Sequence, residues 1–408
     1  MIKEIKNILE PFIDKIPKAT FGPERVTYII EHFNEFDNDQ KLLMLEVINK
    51  ILTNMVEMEA SDIELGGHGT DGYVWMRIYG KKNRVMEIPR LTPDETACLI
   101  INLMNENQRR YLLVTRNLDF SYTFLYERKN TEIRFRADSY FDLDRLALNM
   151  RAINADIRPI ESLDFHQNAI KSLSHKYIKF GLTLVTGITG SGKSSTLDSI
   201  IDFHNQTDNA HIVIIASPIE FVHKSNQCII RHREVGRDVL SFKDGVIQAL
   251  RQDPDIIVIG EMRDPDTILA ALEITDTGHK VFSTLHTSSA VESIDRIIAE
   301  VHPSEQERVR NRLADVLISI VSQKLVPSLD GKRALAKEVL IVNPSVKAAI
   351  KNNNTGEIYM MINQGGQNGM MTMEQDLKRL YLSKKISIEN AMAYANNKTR
   401  MQQILSAI

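Results

Sequence analysis

Residues 187–194 have the types and spacing of a phosphate-binding loop, Gly-Ile-Thr-Gly-Ser-Gly-Lys-Ser. Glycines allow backbone N–H groups to converge on phosphate oxygens, and a helix that begins there adds a favourable dipole. Lys193 can reach the β- and γ-phosphates, and the Ser194 hydroxyl can ligate Mg²⁺. We therefore predict a site for ATP and Mg²⁺, with these binding positions: Gly187, Thr189, Gly190, Ser191, Gly192, Lys193, Ser194 and Ser195.

The segments on either side of the loop have the order that such a loop requires. Residues 182–186 are a short apolar run rich in Thr and Val, which predicts a buried strand. Residues 195–203 have apolar side chains at helical spacing. A glycine turn that matches by chance is the alternative, and the order strand, loop, helix argues against it.

Two polar residues that follow apolar runs are candidates for the rest of the site. Glu261 ends the run 255–260, where a carboxylate can contact a metal-bound water or polarise the attacking water. The alternative is that Glu261 caps the next helix. His286 follows the run 280–285 and precedes a helix whose start is marked by Ser288 or Ser289. A side chain there can sense the γ-phosphate, although a lone histidine is usually structural.

Arginines are expected near the transferred phosphoryl group, because charge develops there in the transition state. Arg134 and Arg136 alternate with Ile133 and Phe135, so a strand would carry both arginines on one face. We predict that this pair contacts the nucleotide between domains or subunits. Ordinary surface arginines are the alternative.

The pattern along the chain predicts several parts. Residues 1–42 are predicted to form an N-terminal extension, with short helical patterns that are broken at Pro11, Pro17 and Pro23. Residues 43–156 are predicted to form an α+β domain, and residues 157–162 are predicted to form a linker. Residues 163–326 alternate strands and helices, as a parallel α/β sheet requires. Residues 327–408 are predicted to be mostly helical, with a β-like run at 334–342, and a further helix is predicted over 309–325.

Composition limits the class of protein. Fifty Lys and Arg against 53 Asp and Glu give a net charge of −3, which argues against a broadly basic nucleic-acid surface. Cys98 and Cys228 are too few for a disulfide framework and are predicted to be reduced thiols. No signal-peptide pattern and no run of eighteen apolar residues occurs, so we expect a cytoplasmic protein without a transmembrane segment, whose membrane role comes through partners.

Several motifs together resemble the type IV pilus retraction ATPases, the PilT/PilU group of the type II/IV secretion ATPases. Resemblance runs from about residue 43 to the end and is strongest from 181 to 326. The matching segments, besides the phosphate-binding loop, are 60–63, 218–223, 233–235, 253–255, 260–264, 277–279, 284–287 and 294–296. Arg134 and Arg136 also fit the family's small N-terminal domain.

This resemblance implies an α/β fold with a RecA-like P-loop ATPase core, a smaller α+β (PAS-like) N-terminal domain and a helical C-terminal region. It implies a homohexamer at the cytoplasmic base of the pilus machine, which acts on an inner-membrane platform protein, removes pilins and supports twitching motility. Within the family, Glu220 lies in the acidic box that activates water, and Glu261 holds the Walker B position. His279 and His286 belong to the histidine box.

The sequence departs from the family pattern at three places. Ala216 and Ser217 stand where the acidic box usually has two carboxylates, which weakens the expected organisation of Mg²⁺. The Ala-Ile-Arg-Asn-Leu motif of the PilT group is absent at 345–349, so the tail resembles the PilU group more. About forty residues precede the matching region, and they either dock a partner or pack on the ring.

Three functions stay open from the sequence. A retraction motor is the leading one. The second is a weakly hydrolysing accessory subunit that joins a paralogous retraction ATPase. A pilus extension ATPase or a secretion ATPase is included in this second alternative. A ring helicase is the third, and the near-neutral charge and the lack of aromatic–basic stripes speak against direct contact with nucleic acid.

Overall fold

A computed structural model of the chain describes residues 2–79, 81–153 and 157–406, which form two compact units. The first unit comprises Met1–Ala155 with Ser217–Phe221 and Gly236–Asp238, and the second comprises Asp156–Ala216, Val222–Val235 and Val239–Ile408. The finer boundaries at residues 42, 162 and 326 stay predictions.

The first unit is an α+β structure built on an antiparallel sheet. Its helices are α1 (Ile2–Ile13), α2 (Gly22–Glu31), α3 (Asn38–Glu57), α4 (Pro93–Asn102) and α5 (Glu106–Thr115). Its strands are β1 (Ala60–Gly66), β2 (Trp75–Ile78), β3 (Lys81–Arg84), β4 (Asn117–Tyr126), β5 (Thr131–Asp142) and β6 (Arg145–Ala152). They lie in the order β3-β2-β1-β6-β5-β4. Strand β5 pairs with β4 on one side and β6 on the other, which places it inside the sheet.

The first helices pack into the core of this unit. Ile5, Leu9 and Phe12 of α1 are buried in the same cluster as Phe33 and the sheet residues. The described part of residues 1–42 therefore packs within its own unit, and both interpretations from the sequence, docking of a partner and packing on the ring, stay predictions. The predicted break at Pro11 is wrong, since α1 continues to Ile13. Proline this close to a helix end removes one backbone bond without interrupting several turns.

The second unit carries a mostly parallel sheet. Its strands are β7 (Gly181–Thr186), β8 (His211–Ala216), β9 (Ile229–Glu234), β10 (Ile256–Ile259), β11 (Lys280–Leu285), β12 (Leu317–Pro327) and β13 (Arg333–Ile341). They lie in the order β13-β12-β7-β11-β10-β8-β9, and only the β12–β13 pair among them is antiparallel within the described residues. The carboxyl ends of β7, β8, β10 and β11 therefore share one edge of the sheet.

Helices cover this sheet and continue to the end of the described chain. They are α6 (Gln167–Leu173), α7 (Lys193–Thr207), α8 (Phe242–Ala249), α9 (Pro265–Asp276), α10 (Ala290–Glu300), α11 (Gln306–Val316), α12 (Pro344–Lys351), α13 (Ile358–Gln364), α14 (Met373–Leu382), α15 (Ile388–Tyr394) and α16 (Lys398–Ser406). Across the described ranges, no helix is both long and apolar enough to cross a bilayer.

The helix predicted over residues 309–325 is half wrong. Helix α11 ends at Val316, and the chain continues as strand β12. The spacing of the apolar residues after Val316 fits both a helix and a strand, but Ile318, Ile320 and Val321 are β-branched and favour a strand. The pairing of β12 with β7 on one side and β13 on the other decides the outcome, and neither contact is visible in a local pattern.

Candidate nucleotide-binding site

The phosphate-binding loop connects the end of β7 to the start of α7, as its sequence predicts. Gly190 and Gly192 have φ values of 78° and 87°, which side chains with a Cβ rarely adopt. Gly192 is the N-cap of α7, and Lys193 is the first residue of that helix. The backbone N–H groups of the first turn therefore lie where phosphate oxygens would accept from them.

Lys193 is held inside the loop. Its Nζ donates to the carbonyl oxygens of Gly187 at 2.8 Å and Ile188 at 3.1 Å. Only 9 % of the surface of Lys193 is accessible to solvent. Ser194 and Ser195 follow on the exposed face of the first turn, and Thr189 is exposed as well. The ammonium thus lies among the backbone groups that the sequence predicts to surround phosphates.

Gln323 on β12 supports the loop, and no motif in the sequence singled it out. Its Nε2 donates to the carbonyl oxygen of Ser191 at 2.8 Å, and its side chain is buried. A Cβ on Gly187 would lie 2.5 Å from the carbonyl oxygen of Gln323, which explains why glycine stands there. Because 309–325 was predicted as a helix, nothing in the pattern brought this residue to the loop.

One polar atom of the loop is left for a ligand. The Oγ of Ser191 is buried and makes no hydrogen bond within the described part of the chain. A buried hydroxyl without a partner is unfavourable by about 1–3 kcal/mol. This orphaned group fits a loop whose polar atoms are completed by a bound nucleotide.

Glu261 and His286 come together at the same sheet edge. Glu261 follows Gly260 after β10, and its Oε2 lies 2.7 Å from Nε of Arg263, within ion-pair distance. Nε2 of His286, which follows β11, lies 3.9 Å from the same oxygen. The alternative that Glu261 caps the next helix is wrong, because the N-cap of α9 is Asp264. Ser289 is the N-cap of α10, one of the two starts that the sequence indicated.

The pKa of His286 lies below its usual value, which favours the neutral imidazole near pH 7. Burial is the main cause, and Lys193, Arg263 and Arg296 lower the pKa further because their positive charges repel a protonated imidazole. A neutral imidazole close to the lysine of the loop can accept or donate one hydrogen bond, as a group that senses a phosphate must.

His279 lies away from this edge. It precedes β11, whereas His286 follows it, so the strand separates them by about 20 Å at about 3.3 Å per residue. Its Nδ1 is 2.9 Å from Oγ1 of Thr277 and 3.2 Å from the carbonyl oxygen of Ile274. The structure does not bring His279 to the loop of its own unit, and its catalytic role stays a prediction.

Arg134, Arg136 and Glu220 meet in the first unit. Nε of Arg134 on β5 donates to the carbonyl oxygen of Ile219 at 2.6 Å, and NH2 donates to Oγ of Ser121 at 2.6 Å. NH1 of Arg136 is 3.5 Å from Oε1 of Glu220. The predicted basic face of β5 therefore holds the segment that carries Glu220, about 85 residues away in sequence.

Ala216 ends β8 and lies against the strand that leads to Glu261. A Cβ built on Gly260 would be 3.0 Å from the Cβ of Ala216, so the two residues are in close contact. Gly260 N also donates to the carbonyl oxygen of Ile215 at 2.8 Å. The departure from the usual acidic box thus falls at the edge of the sheet, beside the predicted Walker B residue.

Mg²⁺ bound with a nucleotide takes one or two protein oxygens and completes its shell with phosphates and water. Ser194, at the first turn of α7, and Glu261, after β10, offer a hydroxyl and a carboxylate that fit this requirement. In the chain as described, no group of three His, Cys, Asp or Glu side chains is arranged to hold a metal by itself. The donor set suits a metal that arrives with the nucleotide.

Comparison with known proteins decides the family. The profile described as Type II/IV secretion system protein matches residues 37–407. The chain belongs to the type II/IV secretion system protein family. The type IV pilus retraction ATPase PilT of Pseudomonas aeruginosa is 37 % identical over 345 residues, which cover 84 % of this chain and 96 % of that protein. PilU of the same organism is 32 % identical over 349 residues, 85 % of this chain and 88 % of PilU.

A solved structure extends this likeness to three dimensions. The crystal structure of the pilus retraction motor PilT with bound ADP superposes with a TM-score of 0.76 at 37 % identity, covering 87 % of this chain and 99 % of PilT. The predicted fold class, a RecA-like core with flanking parts, is confirmed. The chain is thus a PilT-like ATPase. The resemblance of the tail to PilU stays a prediction.

Proposed function

We propose that this ATPase retracts a type IV pilus, with the hydrolysis of ATP driving removal of pilin subunits from the fibre. One observation carries the proposal. A complete phosphate-binding loop shares a sheet edge with Glu261 and His286. The match between this chain and PilT covers 96 % of PilT. The same site would serve any ATPase of the family, so the direction of action rests on the likeness to PilT and PilU.

The proposed assembly is a homohexamer, alone or with a paralogous retraction ATPase. It acts at the cytoplasmic face of the inner membrane, on the platform protein of the pilus machine. The described residues hold no helix suited to spanning a bilayer. Contact with the membrane is assigned to that partner.

Nucleotide binding is assigned to the loop and the first turn of α7. The N–H groups of residues 190–195 would donate to phosphate oxygens, and Lys193 would exchange the carbonyl oxygens of Gly187 and Ile188 for the β- and γ-phosphates. The Ser194 hydroxyl and, through water, Glu261 would hold Mg²⁺. Bound there, the ion would neutralise phosphate charge as it develops.

Hydrolysis is assigned, on the family pattern, to Glu220, Glu261 and the two arginines of β5. Glu220 would accept a proton from the attacking water, and Arg134 and Arg136 would hold Glu220 and balance charge on the phosphoryl group. Glu261 would fix the metal-bound water. His286 would contact the γ-phosphate and report its loss, and His279 keeps its family-based assignment.

The path of the chain supports coupling of hydrolysis to movement. Strand β8 ends at Ala216, residues 217–221 belong to the first unit, and the chain returns to the second unit at Val222. The segment that carries Glu220 thus continues directly from the nucleotide-binding sheet, and Nε of Arg134 in the first unit donates to the carbonyl oxygen of Ile219, next to Glu220. A movement of this segment during hydrolysis would therefore act on the first unit as well as on the sheet.

A second candidate function is a weakly hydrolysing accessory subunit. Ala216 and Ser217 remove two carboxylates from the family's acidic box, so less negative charge opposes Mg²⁺. Such a protein would bind nucleotide with normal affinity and hydrolyse it well only in a mixed ring.

Purified full-length protein separates the two candidates. We expect steady-state ATP hydrolysis that Lys193→Ala and Glu261→Gln each lower at least about a hundredfold. The controls are Lys243→Ala and Glu273→Gln, which change the same side-chain types at exposed positions on α8 and α9. Equal background rates for the wild type and Glu261→Gln would refute the motor for the isolated protein and favour the accessory subunit.

The direction of action needs a cellular test. Deletion of the gene should leave more and longer surface pili, because assembly continues without retraction. Pili counted by electron microscopy, with the wild-type gene and the Lys193→Ala gene restored in turn, give the comparison. Loss of pili in the deletion strain would indicate an extension ATPase instead.

A further inference from the structure

The loop that carries His286 is held by side chains from distant parts of the second unit. Strand β11 ends at Leu285, and α10 begins at Ala290, so four residues connect them. Two of the contacts that fix this connection come from its own helix: NH1 of Arg296 donates to the carbonyl oxygen of His286 at 3.0 Å, and Ser288 N donates to Oε2 of Glu292 at 2.7 Å.

Two further contacts come from elsewhere in the unit. Nδ2 of Asn396 donates to the carbonyl oxygen of Ser288 at 3.2 Å. Oε1 of Glu338, a buried residue on β13, accepts from the N–H of Ala290 at 2.8 Å. Both contacts lie within four residues of His286. The conformation of this connection therefore depends on β13 and on the segment between α15 and α16.

That segment is anchored by half-buried Lys324 and buried Glu374. Nζ of Lys324 on β12 donates to Oδ1 of Asn396 at 2.6 Å and to the carbonyl oxygen of Tyr394 at 2.8 Å. Oε1 of Glu374, fully buried on α14, accepts from Asn397 N at 2.7 Å. Lys324 follows Gln323, whose side chain supports the phosphate-binding loop. One strand, β12, thus connects both loops of the site to the C-terminal segment.

We propose that Asn396 is a positioning residue for ATP hydrolysis, which holds the 286–289 connection so that His286 stays beside Glu261. The inference rests on the proposed role of His286. The rate of hydrolysis then depends on the docking of residues 394–397 against β12 and α14. A movement of the C-terminal helices would change the rate, and a change at His286 would reach those helices.

Asn396→Asp tests this claim with little change in shape. A carboxylate still accepts from Nζ of Lys324, but it cannot donate to the carbonyl oxygen of Ser288. The matched control is Asn390→Asp, because Nδ2 of Asn390 donates to the carbonyl oxygen of Pro327 at 2.9 Å and so joins the same C-terminal region to β12 by a bond that does not involve the 286–289 connection.

Two measurements on full-length protein give the result. We expect Asn396→Asp to lower kcat about tenfold, with KM for ATP within about twofold of the wild type. When His286→Ala is already present, adding Asn396→Asp should lower kcat no further than His286→Ala does alone. Amide hydrogen exchange of residues 287–290 should rise about tenfold in Asn396→Asp. Asn390→Asp should match the wild type in both measurements.

The contrary outcomes are distinct. Wild-type kcat and exchange in Asn396→Asp would overturn the inference, and so would an equal fall in kcat with and without His286. A wild-type rate no higher than that of Lys193→Ala would refute the proposed function instead. Amide exchange would then decide the positioning claim, since it needs no turnover.

Discussion

Lys280 offers a test of how burial acts on charge in the nucleotide-binding unit. The side chain is fully buried at the start of β11, and Nζ donates to the carbonyl oxygens of Ser172 and Ile178 at 3.1 Å each. Burial lowers the pKa of this ammonium from 10.5 to about 7. We expect Lys280→Met to change the pH dependence of stability more than any substitution of an exposed lysine.

The direction in which stability changes with pH follows from how many protons the folded and unfolded chains bind. Between pH 7 and pH 10.5 the unfolded chain binds a proton at Lys280 that the folded chain has lost, so the free energy of unfolding rises with pH in this window. At about 1.4 kcal/mol per pKa unit, the penalty for the folded state is about 4 kcal/mol at pH 7 and about 1.5 kcal/mol at pH 9.5. The stability of the wild type relative to Lys280→Met should thus increase by about 3 kcal/mol between these two pH values.

Urea unfolding at pH 7, 8, 9 and 9.5, followed by circular dichroism, measures the gap in free energy of unfolding between the wild type and Lys280→Met. A methionine side chain cannot replace the two hydrogen bonds to carbonyl oxygens. Their loss changes the gap by the same amount at every pH, so only the slope of the gap with pH tests the argument. Lys243→Met is the control, because Lys243 is 47 % exposed and pairs with exposed Asp266. A gap that stays constant within about 0.5 kcal/mol over this range would show that Lys280 is not deprotonated in the folded state.

Three further outcomes are expected. Gly187→Ala should weaken ADP binding about tenfold or more in a fluorescence titration, because its Cβ would lie 2.5 Å from the carbonyl oxygen of Gln323. Gly190→Ala should weaken it less, because its Cβ meets nothing within 4 Å in the described structure and only the φ of 78° is unfavourable for alanine. Burial raises the pKa of Glu338 to about 7, so the stability of Glu338→Gln relative to wild type should rise by about 2–3 kcal/mol between pH 5 and pH 8 in urea unfolding. Leu9→Ala should destabilise the first unit by about 3 kcal/mol in calorimetry and leave ADP affinity unchanged.

Local patterns predicted the parts of the site that consist of consecutive residues. The loop at 187–194 lies between a strand and a helix, as expected, because glycine spacing and apolar periodicity are both short-range signals. Glu261 and His286 were found for the same reason, since each directly follows a buried strand. Parallel strands then bring their carboxyl ends together without further information.

Contacts that depend on strand order were not predictable in this way. Gln323, Glu338 and Asn396 reach the site only because β12 lies next to β7 and pairs with β13. The position of β9 at the edge of the sheet, beside β8, has no local signal either. The basic face of β5 was predicted, but its contact with residues 219–220 joins positions about 85 residues apart and has no local signal.

The two carboxylates assigned to hydrolysis differ in burial and in the distance to their arginine. Nε of Arg263 lies 2.7 Å from Oε2 of Glu261, and the Glu261 side chain is 16 % exposed, although the arginine is 66 % exposed and solvent therefore screens this pair as well. Arg136 is 3.5 Å from Glu220, with side chains that are 43 % and 36 % exposed, and such a pair contributes about 0–1 kcal/mol. A general base must change partners when it takes a proton, whereas a group that fixes a metal-bound water must not. The lower exposure of Glu261 and its closer arginine favour Glu261 as the fixed carboxylate, and the more exposed Glu220 is the better candidate for the base.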